Sequence, residues 1–282
     1  MKAVYLVMHQ SKPDGEALVR QVVDAFTQVG ITVQAEPWLM QKYGKAVSFA
    51  QAAEDGSAIE AVISMGGDGT LLRANQMALK LEAPLLGINV GRVGFLAELE
   101  LEQLQNACEF LKRDEYHMET RMMLQAEVHG QPPLLALNDV VVSRGGYSRL
   151  IAMNAWVDEE PVGQYAADGL IVSTPTGSTG YSLSAGGPIV CPDVDCMIIS
   201  PICAHSLQQR PVVLSPQKTV VVGLDCDPSQ TAQLSVDGLS PIMLRGKQRV
   251  VITKAREQAR LIRLQPQGFF GLIRRKLSEW SC

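Results

Sequence analysis

A glycine-rich run with one carboxylate, Gly66-Gly67-Asp68-Gly69-Thr70, follows the apolar segment Ala58–Met65 and precedes a stretch with helical spacing. Glycines let the backbone turn sharply, and the first amides of a helix attract phosphate. Because a carboxylate repels phosphate, we expect Asp68 to bind Mg²⁺ or to take a proton from a hydroxyl group. The structural alternative is a glycine turn in which Asp68 or Thr70 caps the helix.

Two better-known nucleotide motifs are missing from this run. The chain has no G-x-x-x-x-G-K-[ST] sequence, and Leu72 occupies the last position of G-x-G-x-x-G. A P-loop and an ordinary dinucleotide-binding fingerprint are therefore both excluded here.

Two further clusters of polar residues lie in the second half of the chain. The pair Asn138-Asp139 begins a β-branched run and could bind a base or ribose, although a strand-initiating turn explains it equally well. The segment 168–188 is an apolar strand followed by a loop rich in Ser, Thr and Gly with one aromatic residue, Tyr181. Such a surface suits a nucleotide. The absence of G-x-S-x-G and the scarcity of His argue against a serine hydrolase.

Composition narrows the class of protein. The chain has 282 residues and a net charge of -4, which argues against broad nucleic-acid binding. No apolar segment approaches the roughly 20 residues of a membrane span, and the N-terminal run is too short for a signal sequence. We therefore expect a cytoplasmic protein with free thiols. Cys191, Cys196, Cys203 and His205 lie close in sequence, but their spacing fits a zinc site poorly, and no metal ligand is assigned.

The secondary-structure elements that must position these clusters follow two different sequence patterns. Up to about residue 100, apolar runs, the first of which predicts a strand over Ala3–Met8, alternate with amphipathic helical stretches, which predicts a parallel sheet covered by helices. From about 117 to 255, short β-branched runs, the last of them Arg249–Thr253, are separated by Gly, Pro, Asp and Ser and predict an all-β, sandwich-like domain. The predicted divisions are 1–100 for the α/β domain, 101–256 for the β-rich domain and 257–282 for a tail ending in a helix.

Taken together, the three clusters resemble the bacterial NAD kinase family in their order and separation. Three more stretches share the resemblance: Gly87–Leu96, Pro201–Pro211 and Ser235–Gly238. The glycine motif alone is shared with lipid kinases and phosphofructokinases, whereas Thr174-Pro175-Thr176-Gly177-Ser178-Thr179 is much more specific. The likeness runs from the first strand to the basic tail at Arg274-Arg275-Lys276.

The resemblance implies a fold and a set of roles. The β-rich domain would bind NAD in the crevice between domains, and the C-terminal helix would pack on the first domain. Asp68 would activate the 2′-hydroxyl of the adenosine ribose. The substrate-binding residues would be Gly69, Asn138, Asp139, Asp168, Thr179, Gly180, Tyr181 and Ser184. The loop residues Gly66, Gly67 and Thr70 would hold donor phosphates. Members use ATP, with some accepting polyphosphate, need Mg²⁺ or another divalent cation, and form homodimers or homotetramers.

Four positions depart from the family pattern. The family has Asn-Glu at Asn138-Asp139 and Thr-Ala-Tyr at Thr179-Gly180-Tyr181. An Arg common two residues before the Asp-Gly pair is replaced by Ala166, and a Gln is replaced by Leu239. These changes bear on individual contacts and on the phosphoryl donor more than on the reaction.

The resulting prediction is an enzyme that phosphorylates NAD to NADP without binding nucleic acid or membranes. A lipid kinase shares the glycine motif, but the chain shows little sign of a membrane-facing surface. A non-catalytic NAD sensor is the remaining alternative, and the presence of Asp68 argues against it.

Overall fold

The computed structural model describes residues 1–10, 14–50, 58–91, 94–97, 99–145, 151–206, 208–224, 231–264 and 268–279. The chain forms two compact units, of which the first comprises residues 1–120 and 259–282 and the second comprises 121–258. Among the described residues, no helix is both long and apolar enough to cross a bilayer.

The first unit is an α/β layer built on a parallel sheet. Its elements are β1 Ala3–Met8, α1 Gly15–Gln28, β2 Thr32–Ala35, α2 Pro37–Tyr43, β3 Ala61–Gly66, α3 Asp68–Lys80, β4 Leu85–Asn89, β5 Leu99–Glu100 and α4 Leu104–Lys112. The strand order is β4-β3-β1-β2, and each pair is parallel. The chain therefore moves outward from β1 in opposite directions, which creates a switch point beside the carboxyl ends of β1 and β3.

The first unit extends past the boundary expected near residue 100. Helix α4 buries Leu104, Ala107, Cys108 and Leu111 in the same apolar core as α1 and the parallel strands. Leu264, near the end of the chain, also packs against this core. The division at Thr120 agrees with the apolar face of α4, which packs into the core of the first unit.

The second unit is a β-sandwich. Its strands are β6 His117–Val128, whose first four residues belong to the first unit, then β7 Leu134–Ala136, β8 Asp139–Arg144, β9 Ile151–Val157, β10 Glu160–Ala167, β11 Gly169–Ser173, β12 Met197–Ile202, β13 Val212–Leu214, β14 Val220–Leu224, β15 Thr231–Val236, β16 Ile242–Arg245 and β17 Arg249–Arg263, whose last five residues belong to the first unit. One antiparallel layer has the order β13-β12-β11-β8-β15-β16, and the other contains β10-β9-β14-β17. A single apolar core takes residues from both layers.

The remaining described elements are two α-helices, α5 Tyr181–Ser184 and the C-terminal α6 Phe269–Glu279, which is assigned to the first unit, and two 3-10 helices, Leu101–Gln103 and Thr176–Thr179. The predicted fold class, an α/β part followed by a β-rich part and a C-terminal helix, is confirmed. Several strands were not predicted. Strand β12 contains Pro201, which normally argues against a strand interior, and β6 is rich in Met rather than in β-branched residues.

Candidate functional site

Asp68 lies at the first position of α3, directly after the N-cap residue Gly67. Its carboxylate accepts backbone N–H groups from Phe95 (2.8 Å) and Leu96 (3.1 Å). The approach is close enough that a Cβ built on Gly94 would lie 1.9 Å from Oδ1 of Asp68. Asp68 is therefore a fixed carboxylate rather than the N-cap that the structural alternative required.

The shape of the glycine loop depends on Thr70. The side chain of this buried residue packs against Gly66, where a Cβ would lie 2.4 Å from its Oγ1. The Thr70 N–H donates to the carbonyl of Gly67 at 3.0 Å. The Thr70 amide is thus engaged by the residue that precedes α3, and a role of Thr70 in holding phosphate stays a prediction.

The loop stands at the switch point of the parallel sheet. Strand β3 ends at Gly66, and its neighbour β1 ends at Met8, with Met8 paired to Met65. In open α/β sheets, ligands bind outside the carboxyl ends of the strands at such a point. The fold thus presents the Asp68 carboxylate where a ligand is expected.

A half-buried ion pair connects α3 to the same strand end. Arg73, on α3, donates to the carboxylate of Glu36 and to the carbonyl of Met8. Glu36 also accepts the backbone N–H of Met8 (3.2 Å) and the indole N–H of Trp38 (3.1 Å). Each partner satisfies the other inside the unit, so the direction of α3 and hence of Asp68 depends on this cluster.

In the second unit, the Asn138 segment is held by an aspartate that the sequence analysis did not select. The Asp237 carboxylate accepts the backbone N–H groups of Leu137 (2.8 Å), Asn138 (2.7 Å) and Asp139 (3.2 Å). Its own N–H donates to the carbonyl of Asp139 at 3.0 Å. Asp237 lies in one of the stretches that carry the family resemblance, but its role could be read only from a partner about a hundred positions away.

Asp139 and Asp237 form a buried carboxylate pair. Burial, followed by the charge of Asp237, raises the pKa of Asp139 to about 7. Burial also raises the pKa of Asp237 to about 6, although its three backbone donors act in the opposite direction. Since those donors favour the anion, Asp237 is the ionised member of the pair and Asp139 carries the proton as pH falls below neutrality.

The hydroxyl-rich loop packs directly on Asn138. Thr174 Oγ1 donates to the carbonyl of Leu137 (2.6 Å) and accepts the N–H of Gly177 (3.0 Å). A Cβ on Gly177 would lie 2.1 Å from the carbonyl oxygen of Asn138, so this position needs glycine. At Gly180 the nearest atoms would be 3.3 Å and 3.5 Å away, a much looser contact that a shift of a few tenths of an ångström relieves. Much of the loop's hydroxyl content is therefore structural.

The predicted substrate-binding residues of this loop surround an exposed aromatic ring. Tyr181 is 48% exposed, and its pKa is raised first by burial and then by the nearby Cys203, Asp168 and Asp139. Asp168 forms an ion pair with Arg144 at 3.2 Å. The structure thus brings Asn138, Asp139, Asp168 and the loop residues Thr179, Gly180, Tyr181 and Ser184 to one region of the second unit, while Asp68 belongs to the first.

Buried polar atoms beside both clusters lack a partner, and in the second unit they include the hydroxyl of Ser173, which pairs with Asp139. The side-chain oxygens of Asn89 and Asn138 are both buried without a hydrogen bond. Asn89 ends β4, where it pairs with Gly66, and its Nδ2 donates to the carbonyl of Gly91 (3.1 Å). Buried acceptors without donors are costly, so each marks a position where a ligand could supply the missing partner.

The donors in the first unit fit a divalent cation that also binds substrate phosphates. Asp68 and Asn89 offer carboxylate and amide oxygens, the ligands that Mg²⁺ prefers, and Mg²⁺ commonly uses one or two carboxylates plus substrate phosphates. Among the residues that the structure describes, no three His, Cys, Asp or Glu side chains cluster as a metal cage. Within the same residues, Cys191, Cys196 and Cys203 are free thiols.

Comparison with known proteins gives matches over most of the chain. Residues 4–116 match the family model of the ATP-NAD kinase N-terminal domain, and residues 137–264 match that of the C-terminal domain. An NAD kinase of Desulforamulus reducens is 38% identical over 285 residues, covering 100% of this chain and 99% of the relative. One from Moorella thermoacetica is 45% identical over 231 residues, covering 81% and 74%.

Two solved structures share the fold. An NAD kinase from Archaeoglobus fulgidus in complex with ATP has a TM-score of 0.75 at 27% identity and covers 99% of both chains. Yeast NADH kinase complexed with NADH has a TM-score of 0.82 at 22% identity, covering 95% of this chain and 85% of its own.

Proposed function

The chain belongs to the NAD kinase family, and from this premise we propose that it transfers the γ-phosphoryl group of ATP to the 2′-hydroxyl of the adenosine ribose of NAD, yielding NADP and ADP. The observation that carries this proposal is the Asp68 carboxylate, held by two backbone amides at the switch point of the sheet. Relatives named NAD kinase, and a fold neighbour solved with ATP, support the substrates.

In the proposed reaction, Asp68 acts as the general base. It removes the proton of the 2′-hydroxyl as the ribose oxygen attacks the γ-phosphorus, and the bond from that phosphorus to the bridging oxygen of ADP breaks. Phosphoryl transfer depends mainly on positioning and charge neutralisation. The amides of Phe95 and Leu96 therefore serve the reaction by preventing the carboxylate from rotating away from the hydroxyl.

The phosphate-binding part of the proposal rests on the glycine loop. Gly66 and Gly67 keep the backbone free of side chains, and the first turn of α3 offers amide donors with the partial positive charge of a helix N-terminus. Thr70 contributes by shaping the loop rather than through its amide, which Gly67 engages. Gly69 gives a substrate the same close access.

We assign the adenosine half of NAD to the second unit. Asn138 has a buried oxygen without a partner, which suits a hydroxyl or amino donor of the substrate. Tyr181 offers an exposed ring face for the base, and Thr179, Gly180 and Ser184 border it. Asp139 and Asp168 supply acceptors for ribose hydroxyls.

A divalent cation completes the proposal. Asn89, whose side-chain oxygen is buried without a partner, would hold it together with phosphate oxygens of the substrates, which leaves Asp68 to accept the proton. When bound, it would neutralise charge on the phosphates.

The test is a coupled assay in which purified protein, NAD, ATP and Mg²⁺ are mixed and NADP is read with an NADP-specific dehydrogenase. Asp68→Asn should lower turnover by roughly 10²–10⁴-fold while NAD binding, measured by calorimetry, persists. Formation of NADP with polyphosphate instead of ATP would keep the reaction and change the donor. Binding of NAD without any turnover in the wild type would indicate a sensor, and unchanged turnover in Asp68→Asn would remove the role of Asp68.

A further inference from the structure

We infer that Asp237 is a positioning residue for NAD: its carboxylate holds the 137–139 backbone in the conformation that presents Asn138 to the substrate. This inference rests on the proposed function, because it assumes that Asn138 contacts NAD. Asp237 itself need not touch NAD or the reacting atoms.

The geometry of the turn carrying Asp237 fixes the direction of its carboxylate. Asp237 and Gly238 have φ values of 51° and 67°, and Leu239 N–H donates to the carbonyl of Val236 at 2.9 Å. Two consecutive positive φ values are typical of the tight turn that joins hairpin strands, here β15 and β16. The turn therefore anchors the side chain to a hairpin rather than to a loose loop.

Three backbone donors converge on that one carboxylate. Oδ1 accepts the N–H groups of Asn138 and Asp139, and Oδ2 accepts that of Leu137. Asp237 is 6% exposed, so water does not compete for these bonds. A neutral residue at this position would leave up to three amides of the 137–139 segment without a charged acceptor. Because an amide without an acceptor is costly, the segment would have to move to find new partners.

Movement of this segment would be transmitted to the rest of the proposed NAD site. The carbonyl of Asn138 accepts the N–H of Thr174 at 2.9 Å and lies against Gly177. The Asn138 side chain lies beside Gly180, next to Tyr181. Asp237 thus supports the substrate-binding loop through Asn138, although nothing in the sequence places these residues together.

The charge of Asp237 provides a readout that packing alone does not. The groups facing Asp139 are Asp237 from the turn after β15, Tyr181 from α5 and the uncharged Ser173, which is its pair on β11. Neutralising Asp237 removes the like charge beside Asp139, so Asp139 should lose its proton at lower pH. A loss of stability elsewhere in the sandwich would leave that titration unchanged.

The experiment compares Asp237→Asn with Val222→Ala, a cavity mutation in the apolar core of the same unit. The KM, kcat and calorimetric Kd for NAD are measured from roughly pH 5.5 to pH 9, a range that spans neutrality. For Asp237→Asn we expect KM and Kd to rise roughly tenfold or more with kcat within a few-fold, and the pH dependence of KM to move to lower pH. Val222→Ala should lower Tm without either change.

An Asp237→Asn protein that binds NAD like the wild type, with an unmoved pH profile, would overturn the inference even if its Tm falls. Should that variant not fold, Asp237→Glu keeps the charge but misplaces the acceptor, and we expect a smaller rise in Kd with an unmoved pH profile; unchanged binding again overturns it. A wild type that binds NAD without forming NADP removes the proposed reaction while Kd still tests Asp237. A wild type that does not bind NAD contradicts both.

Discussion

Gly94 lies so close to Asp68 that a Cβ added to it would be 1.9 Å from the carboxylate oxygen Oδ1. The two residues are 26 positions apart, and the next two residues, Phe95 and Leu96, supply the amides that hold the carboxylate. The glycine is therefore required by the proposed catalytic residue rather than by a turn.

Replacing Gly94 with Ala should displace the Asp68 carboxylate and lower kcat/KM by about 10²-fold, the typical cost of misplacing a catalytic group by about 1 Å. The coupled NADP assay measures this. Gly271→Ala is the matched control, because nothing lies within 4 Å of a Cβ at that position. Equal activity in both variants would show that the position of Asp68 does not limit the reaction.

Gly177 and Gly180 of the hydroxyl-rich loop should differ in how well they accept an added side chain. A Cβ on Gly177 meets the carbonyl of Asn138 at 2.1 Å, whereas on Gly180 its nearest contact is 3.3 Å. We expect Gly177→Ala to raise the KM for NAD by roughly one to two orders of magnitude and Gly180→Ala to change it only a few-fold. The prediction fails if the order of the two variants is reversed.

The buried pair of Asp139 and Asp237 should make stability depend on pH. Both carboxyl groups have a pKa raised in the folded state, to about 7 and about 6, above an ordinary value near 3.8. The folded state therefore binds more protons than the unfolded state between roughly pH 4 and 7, so the free energy of unfolding falls as pH rises through this window and then levels off.

Urea unfolding at several pH values measures this effect. In Asp139→Asn the pair has one titrating member, and the decline in unfolding free energy between pH 4 and about 7 should be clearly smaller. A wild type whose stability is flat or rises steadily across that interval would contradict the raised pKa values of Asp139 and Asp237.

The ion pair between Glu36 and Arg73 of α3 should contribute more to the free energy of unfolding than surface ion pairs do. Glu36 is 12% exposed and accepts hydrogen bonds from Arg73, Trp38 and Met8. Glu36→Gln should lower the free energy of unfolding by about 1–3 kcal/mol, because it leaves the Arg73 charge uncompensated. Glu16→Gln breaks a surface ion pair in which Arg20 is 50% exposed and Glu16 is 55% exposed. This substitution should lower the free energy of unfolding by less than about 0.5 kcal/mol. Equal losses would show that burial adds nothing here.

Much of the fold followed from local patterns in the sequence. Strand β1 has the predicted bounds, Ala3–Met8, because an apolar run buried on both faces leaves little ambiguity. Strand β12 was missed because Pro201 lies inside it, and α4 was separated from its core because a helical pattern does not say which unit its apolar face covers. The extension of β17 to Arg263 was also missed, since the run beyond Thr253 contains charged residues.

The sequence by itself determined the family and the fold class and selected Asp68 as a candidate, because each motif, strand and helix pattern depends on residues that are close together in the chain. The tertiary structure decided which residues hold the candidate side chains in place. The hydrogen bonds from Leu137, Asn138 and Asp139 to Asp237 join residues 98 to 100 positions apart, and those from Phe95 and Leu96 to Asp68 join residues 27 and 28 apart. Backbone amides are chemically alike at every position, so only the folded chain determines which of them reach a carboxylate.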